Sequence, residues 1–153
     1  MEIERKFLIP VLPENLEEYP FHLLEQAYLC TEPVVRVRRS DDSYYMTYKS
    51  KGLLSREEYN LPLTLESYEH LKAKADGNII RKKRYLIPTR SAKGEELTIE
   101  LDVFAEPFAG LCLAEVEFAS EEQANGFVPP EWFGEDVTYS TEYHNSTLSK
   151  KPL

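Results

Sequence analysis

Glu2, Glu4 and Lys6 alternate with Ile3, Arg5 and Phe7 at the start of the chain. Side chains along a strand point to opposite faces in turn, so this spacing puts two carboxylates and an ammonium in one row. Termini fray unless a strand ties them into a sheet, and an ordered row of charges at this position reads as part of a site. The same period of two recurs. Glu115 and Glu117 flank Val116, Glu100 and Asp102 flank Leu101, Arg36 and Arg38 flank Val37, Lys49 follows Tyr45 and Thr47, and Lys82 and Arg84 flank Lys83. A single such pair suits an ordinary solvated sheet face. Eight strands that carry it suit a site that holds an anion on one side and a cation on the other.

The overall balance conceals that division. The 153 residues carry a net charge of −9, yet residues 36–93 hold 14 Lys and Arg against seven Asp and Glu, a local +7, and residues 94–153 hold 13 acids against two lysines, a local −11. A uniformly acidic protein repels polyanions, whereas this chain brings a cationic block and an anionic block together in one small domain. The length predicts a single domain over residues 1–153, and 42% hydrophobic residues supply a core. No apolar run is long enough for a membrane span and the N-terminus is charged, so the expected location is the cytoplasm, without membrane contact. Cys30 and Cys112 lack metal-ligand spacing and are expected to be reduced, buried structural thiols, and the Asn145-Ser146-Thr147 sequon is then a chance match.

The elements that must position these charges are strands, predicted at 2–9, 24–30, 34–39, 44–50, 55–61, 79–87, 97–104 and 112–118. Short connections such as Asp41-Asp42-Ser43 and Lys51-Gly52 make them antiparallel hairpins. Thr64 is placed to cap a helix through Leu65, Tyr68, Leu71 and Ala75 that Gly77 ends. Ser120 with Gln123 forms a capping box for a short second helix before Pro129-Pro130, and Pro13 sits in the first turn of a third. One strand face collects the charged rows together with Gln26, Tyr28, Arg56 and Glu58, and the other collects apolar residues such as Phe7, Val37, Ile99, Leu101, Val116 and Phe118. The conflict is resolved by an inverted sheet, apolar face under outer helices and polar face around a hydrated cavity. The predicted fold class is α+β, a closed or nearly closed eight-stranded antiparallel β-barrel, or tunnel, with a charged interior and a few helices packed outside.

The opening Glu2-Ile3-Glu4-Arg5-Lys6-Phe7-Leu8 resembles the ExExK signature of the CYTH superfamily, the triphosphate tunnel metalloenzymes. The resemblance continues in order through Gln26-Ala27-Tyr28-Leu29, Arg36-Val37-Arg38, Lys49, Arg56 with Glu58, Lys82-Lys83-Arg84-Tyr85, Glu100-Leu101-Asp102-Val103-Phe104, Ala114-Glu115-Val116-Glu117-Phe118 and Tyr143-His144-Asn145. It implies an eight-stranded tunnel, dependence on Mg²⁺ or Mn²⁺, and a small-molecule triphosphate or polyphosphate bound inside, and it is closest to the inorganic triphosphatases. Asn60 departs from the acidic residue often found after the Glu58 position.

On that resemblance Lys6, Arg36, Arg38, Lys49, Arg56 and Arg84 bind substrate, because fixed donors neutralise a triphosphate and Arg matches phosphate oxygens two at a time. Glu2, Glu4, Glu58, Asp102, Glu115 and Glu117 are metal ligands, since carboxylates beside a polyanion make sense only with hard divalent cations between them. Tyr28 and Lys82 form the catalytic pair that orients the attacking water. Arg81 and Lys83 point to the outer surface, His22, His70 and His144 lack metal-ligand spacing, and Trp132 is a hydrophobic cover. The expected activity is metal-dependent hydrolysis of inorganic tripolyphosphate to pyrophosphate and phosphate. The alternatives are a class IV adenylyl cyclase, hydrolysis of an organic triphosphate such as thiamine triphosphate or a nucleoside triphosphate, and a non-catalytic polyphosphate or nucleotide sensor. The acidic rows argue against a nucleic-acid binder.

Overall fold

The computed structural model describes residues 1–153. Nine strands form the sheet: β1 (Glu2–Leu8), β2 (Phe21–Thr31), β3 (Val34–Ser40), β4 (Ser43–Lys49), β5 (Ser55–Arg56), β6 (Glu58–Leu63), β7 (Asp76–Arg90), β8 (Glu96–Phe104) and β9 (Cys112–Glu117). Three helices accompany them, α1 (Leu65–Lys72), α2 (Glu121–Gly126) and α3 (Asn145–Lys150). Every pairing is antiparallel, in the order β5-β1-β9-β8-β7-β2-β3-β4-β6. The two outermost strands in this order are consecutive in the chain, so the backbone itself joins the edges and the sheet curls into a nearly closed barrel. The fifth expected strand, 55–61, is therefore two strands. Ser55 and Arg56 pair with Ile3 and Glu2, whereas Glu58–Leu63 pairs with β4, and the change of neighbour falls at Glu57.

The free edge of β1 is shared. Beyond its contact with β5, it receives the segment around 134–138, whose backbone donates from Val137 to the Lys6 carbonyl at 2.8 Å and accepts from the Leu8 N–H at the Glu135 carbonyl at 2.9 Å. Outward-facing apolar residues of β1, β8 and β9 (Phe7, Ile99, Leu101, Val116) pack against Ala124 of α2 and Phe127, and Trp132 and Phe133 cover them. Ala27 and Val37 on the outer face of β2 and β3 lie under the fully buried Tyr68 of α1. Toward one end the inner face turns apolar: Ile80, Phe104 and Leu113 enclose Leu148 of α3 and plug the barrel there. The charges are thus confined to the remaining length of the interior.

The Thr64 hydroxyl accepts from the Ser67 N–H at 3.0 Å and Ser67 Oγ accepts from the Thr64 N–H at 2.9 Å, which completes the capping box of α1. Ser120 caps α2 by accepting from the Gln123 N–H at 3.1 Å, but Gln123 reaches past it to the Ala119 N–H at 2.7 Å. Pro13 does not start a helix; a single 3-10 turn begins three residues later, at Leu16, after Asn15 in the left-handed region. Against the expectation of two buried thiols, Cys30 is exposed near the end of β2, and Cys112 is half-buried with its thiol pushed up by burial. Asn145 is buried, so its sequon has no accessible acceptor.

Gly77 does not end α1. The helix stops at Lys72, and Gly77 lies inside β7 with φ +76, where an added Cβ would meet the Ser149 carbonyl oxygen at 2.1 Å. The glycine is required by the close approach of α3 to the sheet. Gly77→Ala is expected to destabilise the protein by about 2–3 kcal/mol through strain and displacement of α3. Urea unfolding of the two proteins checks this.

Candidate active site

Inward-facing side chains from all nine strands surround a cavity of about 610 Å³. Twelve of the residues expected from the sequence line it: Glu2, Glu4, Lys6, Tyr28, Arg36, Arg38, Lys49, Arg56, Glu58, Arg84, Glu115 and Glu117. Two do not. Asp102 lies behind the wall, where its carboxylate accepts from Arg84 Nε at 2.7 Å and Nη2 at 2.8 Å and pairs with Lys82 Nζ at 2.7 Å. These three donors engage both oxygens, so in this structure Asp102 is bound to the two cations behind the wall. Lys82 has no exposed side-chain surface; besides Asp102 it donates to Asn145 Oδ1 at 3.3 Å, and it makes no bond to Tyr28.

The strand register explains the pairings. Lys49 stands opposite Glu58, and Glu2 opposite Arg56. Lys49 Nζ donates to both Glu2 oxygens, at 3.0 and 3.1 Å, and lies 3.5 Å from Glu58. Lys6, opposite Glu115, approaches it to 3.3 Å, and Arg84 lies 3.1 Å from Glu100. Arg36 and Arg38 differ from the other cations. Both are buried and neither has a carboxylate partner; Arg38 donates to the Gln26 amide oxygen, and Arg36 Nε has no hydrogen-bond partner at all. Buried guanidiniums without counter-ions are unfavourable unless an anion completes them.

The acids present the opposite problem. Glu4 stands directly across from Glu117, and Glu100 from Glu115, in positions where like charges destabilise a sheet. Glu4 forms no salt bridge, and burial together with Glu115 and Glu2 pushes its carboxyl up to about 8. Burial, Glu2, Glu100 and Glu58 raise Glu117 as well. Glu115 goes the other way: burial opposes its charge, but Lys6, Arg84 and Lys82 hold it well below the usual carboxylate range. No three Asp, Glu, His or Cys side chains stand close enough to enclose a metal ion as they are placed. The hard oxygen donors and the mutual repulsion of Glu4 with Glu115 and Glu2 nevertheless fit a divalent cation, which removes the repulsion once bound.

Burial lowers Lys82 to about 7, with Arg84 and Arg38 adding to the effect against the pull of Asp102. Burial, Lys6 and Arg56 lower His144 to about 4, so its imidazole is neutral where it lines the cavity. His144 reaches the cavity from the turn before α3, outside any strand period, so alternation does not mark it. Tyr45, Asn60 and Glu100 also line it. Their signal was present, since they share the alternation of Lys49, Glu58 and Asp102.

Comparison with known proteins agrees with this geometry. Residues 1–152 match the CYTH domain. The chain is 41% identical over 152 residues to an inorganic triphosphatase of Nitrosomonas europaea, covering 97% of this chain and 96% of the relative. It is 32% identical to an inorganic triphosphatase of Acetivibrio thermocellus, over 99% of this chain and 94% of that one. A crystal structure of an inorganic triphosphatase superposes with a TM-score of 0.71 at 37% identity, covering 99% of this chain and 96% of the other.

Proposed function

The chain belongs to the CYTH domain family, and from that premise we propose that it is a metal-dependent hydrolase that cleaves inorganic tripolyphosphate to pyrophosphate and phosphate. The observation that carries this reading is the pair of buried guanidiniums, Arg36 and Arg38, that lack any carboxylate partner in a cavity whose other cations are paired. Both full-length relatives bear the same hydrolase name, which supports tripolyphosphate over a cyclase substrate. No helix is long and apolar enough to cross a membrane.

Arg36, Arg38 and Arg84 bind the phosphate chain with directed donors, and Lys6, Lys49 and Arg56 add charge. Glu2, Glu4, Glu58, Glu115 and Glu117 would hold Mg²⁺ or Mn²⁺. When bound, such a cation neutralises phosphate charge and polarises the phosphoryl group. Water adds to the terminal phosphorus, the bridging P–O bond breaks, pyrophosphate leaves and a proton is released. The guanidiniums meet the charge that accumulates on the phosphoryl oxygens, and because they are already fixed in place little reorganisation accompanies the reaction. Arg84 and Lys82 hold Asp102 in its charged form, and that carboxylate in turn fixes Arg84 from behind.

The test is phosphate release from tripolyphosphate, ATP and thiamine triphosphate with Mg²⁺ or Mn²⁺, with cyclic AMP measured alongside. Tripolyphosphate is expected to be the preferred substrate, and EDTA to abolish turnover. Arg38→Ala is expected to raise KM about tenfold or more, on the scale of a lost charged hydrogen bond. Tight binding of tripolyphosphate without turnover would establish the sensor reading instead, and cyclic AMP from ATP would establish the cyclase.

A further inference from the structure

Gln26 contacts two groups of the cavity at once. It lies on the inner face of β2, two residues before Tyr28, and is fully buried. Its Oε1 accepts from Arg38 Nε at 2.8 Å and from Arg38 Nη2 at 2.6 Å. A guanidinium only donates, so the oxygen of the amide must face Arg38 and the nitrogen must face the other way. That nitrogen donates to the Tyr28 hydroxyl oxygen at 3.1 Å. The Arg36 guanidinium lies beside the same hydroxyl and likewise has only protons to offer. The Tyr28 proton therefore finds no acceptor in Gln26 or Arg36, and no other protein group accepts it. Tyr28 is 3% exposed and lines the cavity.

We propose that Gln26 is a positioning residue that fixes Tyr28 as a hydrogen-bond donor to the bound polyphosphate and, with the same amide, aims the remaining donors of Arg38 into the cavity. The inference rests on the reading of this cavity as a polyphosphate site. Phosphate oxygens only accept, and a hydroxyl whose lone pairs are already engaged is oriented for them before the ligand arrives. With one lone pair engaged by Gln26 and the Arg36 guanidinium beside the hydroxyl, Tyr28 faces the cavity with its own proton to offer. This gives Tyr28 a role in holding the phosphate chain in addition to the water-orienting role expected from the sequence.

A double-mutant cycle separates this from simple packing. Tyr28→Phe in the parent protein is expected to weaken tripolyphosphate binding roughly tenfold, the scale of one hydrogen bond to a charged group. Gln26→Glu keeps an acceptor for Arg38 but gives Tyr28 only oxygens, which turns its proton away from the cavity; in that background Tyr28→Phe should change affinity less than twofold. Gln26→Met has no polar atom to orient the hydroxyl, and there the Tyr28→Phe effect should also shrink clearly below tenfold. Titration calorimetry in EDTA and kcat/KM with Mg²⁺ both read the cycle. An undiminished tenfold effect of Tyr28→Phe in either Gln26 background overturns the inference. Running the titrations with pyrophosphate as well keeps the cycle measurable if tripolyphosphate fails to bind, a failure that would count against the function and not against the role of Gln26.

Discussion

Glu4→Gln is expected to lower tripolyphosphate turnover with Mg²⁺ roughly 100-fold, the scale of losing one preorganised charge-stabilising group, and yet to stabilise the ligand-free protein at high pH. The two effects have one cause. Burial, Glu115 and Glu2 raise the folded-state pKa of Glu4 to about 8. Between the ordinary carboxylate range and pH 8 the folded protein holds a proton there that the unfolded chain has lost. Its stabilising contribution is present at low pH and disappears as pH rises through about 8. Glutamine cannot ionise and avoids the loss, so at pH 9 in EDTA the variant should be more stable by on the order of 2 kcal/mol, or about 5 °C in thermal midpoint for a chain of this size. A divalent cation must displace the same proton, so its affinity for the parent should rise with pH up to about 8, and that rise should vanish in the variant. The measurement is the difference in thermal midpoint between parent and variant from pH 5 to 9, with and without Mg²⁺. A difference that does not grow with pH would show that Glu4 is solvated and unstrained, and the cation site would have to be sought elsewhere.

The charged interior was legible because the barrel is inverted. Placing charges inside and apolar residues under the outer helices preserves the period of two that a strand imposes, so Glu2, Glu4, Lys6, Arg36, Arg38 and Glu115 declared themselves without any knowledge of pairing. What escaped depends on contacts between distant parts of the chain. The break at Glu57 follows from a change of strand neighbour, β1 for β4, which no local pattern encodes. Gly77 carried the local sign of a helix end, but its conformation answers to the Ser149 carbonyl across the α3 packing. The commitment of Asp102 to Arg84 and Lys82 comes from the β7–β8 register, which puts Arg84 directly opposite it; alternation alone placed it in the same acidic row as Glu100. His144 arrives from a turn, where no periodicity marks an inward side chain.

Asp102→Asn tests that last distinction and should have the largest effect on stability of any single polar substitution in the barrel. The carboxylate is the shared partner of two buried cations, bonded to Arg84 through two nitrogens and to Lys82 at 2.7 Å. An asparagine of nearly the same shape leaves Lys82 without a counter-ion close to Arg84 and Arg38, and removing one member of such a buried set costs about 3–5 kcal/mol. For a chain of this length that is a fall of roughly 10 °C or more in thermal midpoint. The pH dependence has a definite sign. Burial works against the Asp102 charge, but Arg84 and Lys82 outweigh it and lower the folded-state pKa. Its stabilisation is therefore full above the ordinary carboxylate range and is lost as pH falls through the lowered value, so parent and variant should converge in stability under acid. Tripolyphosphate KM should rise as well, because Arg84 loses the support that aims it. Affinity for Mg²⁺ in the absence of phosphate should stay within about twofold of the parent, since both oxygens of this carboxylate are engaged by Arg84 and Lys82 and it does not line the cavity. If Asp102→Asn instead removes the Mg²⁺-induced rise in thermal midpoint while leaving the ligand-free midpoint unchanged, Asp102 is a metal ligand and its bonds to Arg84 and Lys82 are exchanged for the cation on loading.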